Sequence, residues 1–372
     1  MDPMPSYSAP EMAVESEEPA PMTDSGALPN LRWEGLVDSY YLFKLTGDRS
    51  LEDPELRAFD TDAHSFRLAY AKLAVQMDAD PVGFRIDFGY GQVGQIINGL
   101  SDGASGIPGI DRPSSLYSSA FIVQQAYATA TFGGILTLDA GKFNTTAGAE
   151  VTESNGNWLY SRSFLFNGIP LLHTGLRLTV SPNDMISIQA SLVNGGVTNN
   201  DPDNNAWKTL GLSLGVTPVE GTSLALTSYL GKEGDQGMQG DMQFLLDFVA
   251  AQDINESIGL NLNFDFWQQG DAQWLGTALM ANFVLHPNFR LAVRGEWLSS
   301  KDGGYGGLGV AGGDRVNLFE GTLLLGLPVG SNYEIRLETR ADFASEDDAV
   351  FHKGVEAKGA QVTGQAAFLA WF

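Results

Sequence analysis

Residue-by-residue alternation of apolar and polar side chains dominates the chain from Leu31 to its end. In the clearest run, YEIRLETRADF at residues 333–343, all five charged residues stand at even-numbered positions. A helix would spread these charges around its whole circumference, whereas a strand places them on one face. We find no convincing helical stripe in this region, so the pattern predicts an all-β domain.

Sixteen such runs can be laid out along the chain, most of them about 9–14 residues long. This length suits a tilted strand that crosses a membrane, since strands of soluble sheets usually have only about five or six residues. We predict strands that begin near Leu31, Ser65, Val82, Ser119, Ile135, His173, Met185, Trp207, Thr222, Asp241, Ser257, Gln273, Phe289, Val316, Tyr333 and Gln361.

The predicted connections alternate strictly in length. Short turns rich in turn-forming residues are predicted at residues 80–81, 133–134, 182–183, 218–221, 253–255, 286–288 and 330–332. Long polar loops are predicted at residues 46–64, 92–118, 145–172, 195–206, 232–240, 301–314 and 345–360. Short turns on the periplasmic rim and long loops on the external rim are typical of a closed, up-and-down antiparallel barrel in a bacterial outer membrane.

Composition excludes several other classes of protein. A net charge of −24 would repel a phosphate backbone, so the chain is no nucleic-acid binder. The absence of Cys excludes disulfide-stapled modules and thiolate metal sites. The longest uncharged stretch, residues 113–138, is long enough to span a bilayer as a helix, but polar residues are scattered along it. A helical membrane protein is therefore excluded too.

Residues 1–29 differ in composition from the rest of the chain. They contain six Pro and six acidic residues and no Lys or Arg, which predicts a disordered acidic leader before a barrel at residues 30–372. The leader begins with neither a basic segment nor an apolar one, so we expect that a secretion signal has been removed from this chain.

A soluble β-sandwich would also show alternating strands, with the apolar face turned into a core. Here the polar faces carry charges of both signs together with Gly, Ser, Thr and Asn, which suits a water-filled lumen. Aromatic residues such as Trp33, Trp207, Trp297 and Tyr333 cluster near predicted strand ends, as in the aromatic girdles of membrane barrels. These features favour a barrel of about 16 strands in the outer membrane.

The last predicted strand ends on an aromatic residue of its apolar face. Phe368 and Phe372 share that face, and a terminal Phe resembles the signal that outer-membrane assembly machinery reads. We therefore expect the barrel assembly machinery, outer-membrane lipid and lipopolysaccharide as partners. Barrels of this predicted size are commonly trimers, so a homotrimer is a further expectation.

Several segments carry a resemblance to a known family. They are EGLVDSYY at 34–41, AY at 126–127, AGKF at 140–143, GAEV at 148–151, the stretch 157–166 with its SRS, and IP at 169–170 before HTGLR at 173–177. Over roughly residues 31–180 the chain resembles the β-barrel porin-2 family, OmpL-like, of Gram-negative bacteria, and the later half matches only in its strand rhythm. The resemblance implies an outer-membrane pore and says little about the solute.

Residues 145–172 form the third long loop, which in general porins folds into the lumen and narrows it. This loop contains Glu150, Glu153 and Arg162, and the two carboxylates could face the guanidinium across a constriction. Opposed charges of this kind create a transverse field that orients and filters solutes. The alternative is an external loop folded over the mouth of the barrel.

By the same alternation, charged residues of both signs are expected on the lumen face: Arg85, Asp87, Arg177, Asp265, Arg290, Arg294, Glu296, Glu334, Arg336, Glu338, Arg340 and Asp342. They could form a selectivity lining or a network of ion pairs between strands, and the two are compatible.

These features predict a porin for passive diffusion of small hydrophilic solutes and ions, with a mild preference for cations. A structural or adhesive barrel with a plugged lumen and an outer-membrane enzyme such as a lipase are the alternatives. The four His residues stand far apart, so the sequence shows no Ser-His-Asp constellation, and no cofactor is predicted. The Asn- and Asp-rich segment 199–205 lacks the Gly and distal Glu of a calcium loop, so no metal site is predicted.

Overall fold

A computed structural model of the protein describes residues 31–45, 56–79, 81–101, 120–196, 203, 205–234, 240–305, 315–345, 350–353 and 356–372. Within these ranges, sixteen antiparallel strands close into a single barrel. The predicted leader at residues 1–29 and most of the Asn- and Asp-rich segment 199–205 lie outside the described residues.

The barrel strands lie close to their predicted positions, and each begins within two residues of the predicted start. They are β1 (Leu31–Lys44), β2 (Ser65–Met77), β3 (Val82–Tyr90), β4 (Phe121–Phe132), β5 (Leu136–Asn144), β6 (Leu172–Asn183), β7 (Ile186–Val193), β8 (Thr209–Val216), β9 (Thr222–Glu233), β10 (Asp241–Asn255), β11 (Ile258–Gln269), β12 (Ala272–His286), β13 (Phe289–Lys301), β14 (Arg315–Val329), β15 (Tyr333–Ala344) and β18 (Ala360–Trp371). Between β15 and β18, β16 (Phe351–Lys353) and β17 (Glu356–Lys358) form a separate two-stranded sheet.

The first and last strands close the barrel. Leu36 on β1 lies opposite Trp371 on β18, and the antiparallel register continues from there to Lys44 and Thr363. The amide of Gly35 donates to the carbonyl of Phe372 at 3.0 Å, and the amide of Phe372 donates back at 3.1 Å. Closure leaves no unpaired edge strand in the barrel sheet, and an unpaired edge would be prone to aggregation.

Strand alternation places apolar side chains outside and polar ones inside. On β11, Leu262 is 38% exposed, whereas the neighbouring Asn261 is 1% exposed and Asp265 is fully buried. A soluble protein would show the opposite arrangement, whereas an outer-membrane barrel turns its apolar face to lipid. Alternation therefore turns the apolar side of β11 outward and its polar side inward.

The connections follow the predicted alternation with one exception. β11 and β12 are joined at the long-loop end by only Gly270 and Asp271. Gly270 has φ +57°, a left-handed conformation that glycine adopts without steric cost and that permits a tight turn. The prediction of strict alternation was wrong at this connection, because a two-residue turn leaves no polar stretch long enough to show in the sequence.

The all-β fold is confirmed, although short helices that the sequence pattern did not show lie in the loops. Helix α1 (Gln92–Ser101), a 3₁₀ turn (Ser154–Gly156) and helix α2 (Phe164–Gly168) lie in two of the long loops. In α1, Val93 and Ile97 are four residues apart and thus share a face, which is buried. Among the described residues, no helix is long and apolar enough to cross a membrane.

Replacing Leu178 by Arg tests the outer face directly. Leu178 is 39% exposed and lies midway along the outward row of β6, between Leu176 and Val180. A charged residue facing the bilayer core of a barrel costs roughly 2–4 kcal/mol, so Leu178→Arg should lower the free energy of unfolding in liposomes by that amount. Thr179→Arg is the matched control, because Thr179 points into the barrel and is partly exposed there. Equal stability of the two variants in denaturant titrations contradicts this orientation of β6.

Candidate functional site

The chain between β5 and β6, residues 145–171, runs through the interior of the barrel and is called the inserted loop. Thr146 Oγ1 lies 3.0 Å from Ser213 Oγ on β8. Ser154 Oγ donates to Asp38 Oδ2 on β1 at 2.5 Å. Because β8 and β1 stand on opposite sides of the closed sheet, the inserted loop spans the lumen from wall to wall.

Glu150 joins the inserted loop to β13. Arg294 Nη1 donates to Glu150 Oε1 at 2.8 Å, while Arg294 Nε donates to Glu320 Oε2 on β14 at 2.9 Å. The second carboxylate oxygen of Glu150 accepts from the Ser163 amide at 2.8 Å, within the loop itself. Glu150 is therefore held between a wall cation and the returning arm of the loop, and all three charged side chains are buried.

Glu153 makes the corresponding contact on the other side of the barrel. Its carboxylate pairs with the Lys72 ammonium on β2 and accepts from Gln124 Nε2 on β4 at 3.0 Å. Lys72 also lies 2.7 Å from Asp87 Oδ2 on β3. Burial by itself would raise the pKa of Glu153, but the nearby ammonium and the amide donor together lower it below its ordinary value.

Arg162 does not face either carboxylate, which corrects the predicted opposition of charges within the loop. Its Nε donates to the carbonyl of Val151 at 3.0 Å, and its Nη2 donates to the carbonyl of Thr152 at 2.6 Å. It also donates to the carbonyl of Tyr160. Buried carbonyls in a loop need donors, and a guanidinium supplies five N–H groups. Arg162 therefore braces the two arms of the inserted loop, while Glu150 and Glu153 pair with the wall.

Carboxylates of β13 and β15 accept from the backbone of the inserted loop. Glu338 accepts from the amides of Tyr160 at 2.6 Å and of Ser161 at 3.1 Å. Glu296 accepts from the amides of Phe164 and Leu165, both at 2.8 Å. These charge-assisted hydrogen bonds fix the loop to the wall at successive levels.

Guanidinium groups of the same two strands donate to carbonyls of the loop. Arg336 donates to Ser154 at 2.7 Å, Arg340 to Arg162 at 2.6 Å and Arg290 to Trp158 at 2.7 Å. Many of the charged side chains on the inner face of β13 and β15 therefore form hydrogen bonds to the backbone of the inserted loop rather than to water.

All the predicted lining residues point into the barrel. Eleven of them are buried: Arg85, Asp87, Asp265, Arg290, Arg294, Glu296, Glu334, Arg336, Glu338, Arg340 and Asp342. Arg177 alone in this set is partly exposed. A role for these residues in selectivity stays a prediction.

Sequence reasoning missed three inner residues that hold the loop or its partners: Asp38, Lys72 and Glu320. Each stands at an inward position of a period-two run, as in Tyr70-Ala71-Lys72-Leu73-Ala74, so the signal was present in the alternation. Within the part of the chain that the structure describes, no three His, Asp or Glu side chains come together in a way that could hold a metal ion.

A second segment, residues 56–63, packs inside the barrel above the inserted loop. Arg57 is fully buried, and its Nη2 donates to Thr363 Oγ1 on β18 at 2.5 Å. The ring of Phe59 lies 5.7 Å from that of Phe166, and the guanidinium of Arg162 lies 5.6 Å from the centre of the Phe59 ring. The two segments therefore support one another inside the lumen.

Acidification tests the contact between Glu153 and Lys72. Because the pKa of Glu153 is lowered in the docked loop, its contribution to docking is complete above the ordinary glutamate pKa and is lost as the pH falls through the lowered value. We expect limited proteolysis of the inserted loop to accelerate at that low pH. Glu153→Gln should remove this part of the pH dependence. Identical pH profiles for the variant and the parent protein contradict the assignment.

The two residues of the predicted assembly signal lie on the outer surface. Phe368 is 49% exposed and Phe372 is 70% exposed, and the Phe372 ring packs over Gly35 of β1. Their use by an assembly machinery stays a prediction.

Comparisons with known proteins agree with this architecture. A family model described as "Putative beta-barrel porin-2, OmpL-like" matches residues 30–372. The anion-selective porin from Comamonas acidovorans superposes with a TM-score of 0.59 at 10% identity, over 92% of this chain and 99% of that one. The outer-membrane channel DcaP of Acinetobacter baumannii gives 0.58 at 10% identity, over 91% and 96%. OmpT of Vibrio cholerae in its trimer form gives 0.56 at 10% identity, over 92% and 99%.

A comparison with the sequences of curated proteins found no match. The structural likenesses, at such low identity, establish the fold alone. The family model covers the whole barrel. The chain therefore belongs to the β-barrel porin-2, OmpL-like family of outer-membrane porins.

Proposed function

We propose that this porin lets small hydrophilic solutes and ions diffuse passively through its barrel, past the inserted loop. The observation that carries the proposal is accessible surface inside the barrel. Inward-pointing side chains such as Tyr127, Thr179 and Ser223 are partly exposed, which requires open space in the lumen. Within the described part of the chain, no hydrogen bond joins the inserted loop to these three residues.

We further propose a mild preference for cations. The chain carries 45 acidic against 21 basic residues, a net charge of −24. Inside the barrel, the Lys72 ammonium contacts two carboxylates, that of Glu153 on the inserted loop and that of Asp87 on β3. This excess of carboxylates over cations supplies the negative field.

Reversal potentials in planar bilayers test the ion preference. Across a KCl gradient, the reversal potential should lie on the cation side, and the preference should shrink at about 1 M salt, where the Debye length falls to roughly 3 Å. A reversal potential on the anion side contradicts the proposal. Glu153→Gln should move it toward zero, because Glu153 is a partly exposed carboxylate of the inserted loop. Asp78→Asn should not, because Asp78 lies exposed at the short-turn rim in a pair with Arg32.

The extent of the inserted loop favours one second candidate, a structural barrel with a closed lumen. Most inner side chains on β13–β15 are buried beneath the loop. The two candidates differ in bilayer recordings, because a closed barrel gives no discrete current steps although it inserts. Conductance therefore decides between them.

We propose that three barrels assemble into a homotrimer through the outer faces of β18 and β1. Small outward residues are concentrated there, including Gly364, Ala366 and Ala370 on β18 and Ser39 on β1. Small side chains allow two barrel walls to approach closely. Ala366→Trp should convert the trimer to monomers in light-scattering measurements. Leu212→Trp, on the outer face of β8 across the barrel, should not. A monomeric parent protein contradicts this assembly.

We propose that the barrel assembly machinery reads Phe372 and Phe368, and that the long-loop rim meets lipopolysaccharide. Phe372→Ser should lower the amount of barrel in the outer membrane of cells, while refolding of the purified chain into detergent stays unchanged. Equal amounts of parent and variant in the outer membrane exclude this signal.

If the long-loop rim binds lipopolysaccharide, adding lipopolysaccharide to the detergent-solubilised barrel should raise its melting temperature. An unchanged melting temperature contradicts this contact.

A further inference from the structure

The inner wall of the barrel is divided into two halves of different chemistry. β7 and β8 contain no charged residue, and β9 has charges only at its loop end, at Lys232 and Glu233. The inward positions of β4–β9 are rich in hydroxyl and amide groups: Thr129, Thr131, Thr137, Thr179, Ser181, Ser187, Gln189, Ser191, Ser213, Ser223 and Thr227. We call these eleven residues the hydroxyl wall.

Side chains of the hydroxyl wall are only loosely bonded to one another. Thr131 Oγ1 lies 3.3 Å from Thr137 Oγ1, and Gln189 Nε2 donates to Thr179 Oγ1 at 3.3 Å. Ser181 Oγ donates to Ser187 Oγ at 3.4 Å. Hydroxyl groups at these distances keep donors and acceptors for water or for a passing solute.

The inserted loop lies mainly against the opposite half of the barrel. Its hydrogen bonds to β8 and β9 are confined to Thr145 and Thr146, which meet Tyr229, Ser213 and Thr227. From Ala149 onward, its hydrogen bonds to the wall go to β1, β2, β4, β11, β13 and β15. Six members of the hydroxyl wall, all nearer the short turns, are partly exposed: Thr129, Thr131, Thr137, Thr179, Ser181 and Ser223. The other five are buried.

One ion pair stands within the hydroxyl wall. Arg177 Nε donates to Asp139 Oδ2 at 2.9 Å, so the pair adds no net charge. The guanidinium carbon of Arg177 lies 4.5 Å from the centre of the Phe143 ring and 5.6 Å from that of Tyr127. A partly exposed aromatic ring beside a guanidinium–carboxylate pair offers both a flat surface and hydrogen bonds to a solute with several hydroxyl groups.

Resting on the proposed diffusion function, we infer that the water path follows the hydroxyl wall and that its preferred solutes are uncharged polyhydroxylated molecules, the class of small sugars and polyols. Such solutes exchange their hydrogen bonds to water for bonds to hydroxyl groups of the wall. A charged solute finds no counter-charge there except the already paired Arg177 and Asp139, so it gives up hydration without compensation.

Cysteine accessibility tests the route, because the chain contains no Cys. Thr179→Cys and Ser223→Cys should react with a water-soluble cationic methanethiosulfonate reagent, and the reaction should lower the single-channel conductance. Thr322→Cys and Thr363→Cys are the matched controls, since both residues point inward on the covered half and are 5% and 2% exposed. These controls should keep their conductance after treatment. The inferred route is wrong if the reagent lowers the conductance of the two control variants and leaves that of Thr179→Cys and Ser223→Cys unchanged.

Liposome swelling tests the solute class. Sorbitol and glucose should enter faster than gluconate and glucosamine, which are charged molecules of similar size. Faster entry of either charged solute overturns the inference even if the route is correct. A parent protein without any conductance contradicts the proposed function itself, whereas a conducting protein with the wrong route or solute order contradicts only this inference.

Discussion

A barrel that lacks residues 150–163 is expected to show a several-fold larger single-channel conductance than the full chain. These residues carry the contacts that take the inserted loop across the lumen, from Arg294 on β13 to Lys72 on β2 and Asp38 on β1. A Gly-Ser linker that joins Ala149 to Phe164 preserves the connection between β5 and β6. The sixteen-strand hydrogen-bond ladder is complete without the loop, so the barrel should still close.

The same deletion should also uncover the charged half of the wall. Thr322→Cys, which is protected in the full chain, should become reactive toward the methanethiosulfonate reagent in the deletion variant. Heat-modified mobility in gel electrophoresis serves as the control that the barrel has folded. An unchanged conductance would mean that the loop lies outside the pore when the barrel is in a membrane.

Replacing Arg294 by Gln is expected to release the inserted loop. The Arg294 side chain is fully buried and donates to Glu150 at 2.8 Å, to Glu320 at 2.9 Å and to the carbonyl of Ser161 at 2.8 Å. Removing one partner of a buried ion pair costs about 3–5 kcal/mol, because the remaining charges stay buried without compensation. The loop can leave the wall more easily than the barrel can open. We therefore expect the substitution to weaken the docking of the inserted loop more than the stability of the barrel.

Limited proteolysis and the noise of the open channel measure this release. Arg294→Gln should be cleaved within residues 145–171 where the parent protein resists, and its current should fluctuate more. Arg32→Gln is the control, since the exposed pair of Arg32 with Asp78 is worth at most about 1 kcal/mol. Resistance to the protease in Arg294→Gln contradicts the central role given to this ion-paired cluster.

Strand positions and faces could be predicted from the sequence because both follow from a period of two. In a run such as residues 333–343, the ends of the strand and its polar face can be read from the local sequence alone. The two-residue turn at Gly270 and Asp271 and the helix α1 escaped prediction for the converse reason. Each is a short local feature that a period-two alternation of side chains does not reveal.

The partners of the loop residues could not be predicted from local pattern. Glu150 meets Arg294, which is 144 residues away, and Ser154 meets Asp38 across 116 residues. Alternation assigns a residue to the inner face of a strand, but it does not say how far round the barrel a loop residue reaches. The division of the wall into a charged half and a hydroxyl-rich half is likewise a property of the closed barrel.

Single-channel recording of the purified full chain in a planar bilayer tests the central claim most directly. We predict discrete current steps in KCl that are smaller than those of the variant lacking residues 150–163. Barrel insertion without any current step, together with normal steps from the deletion variant, would show that the inserted loop seals the barrel and would contradict a diffusion channel.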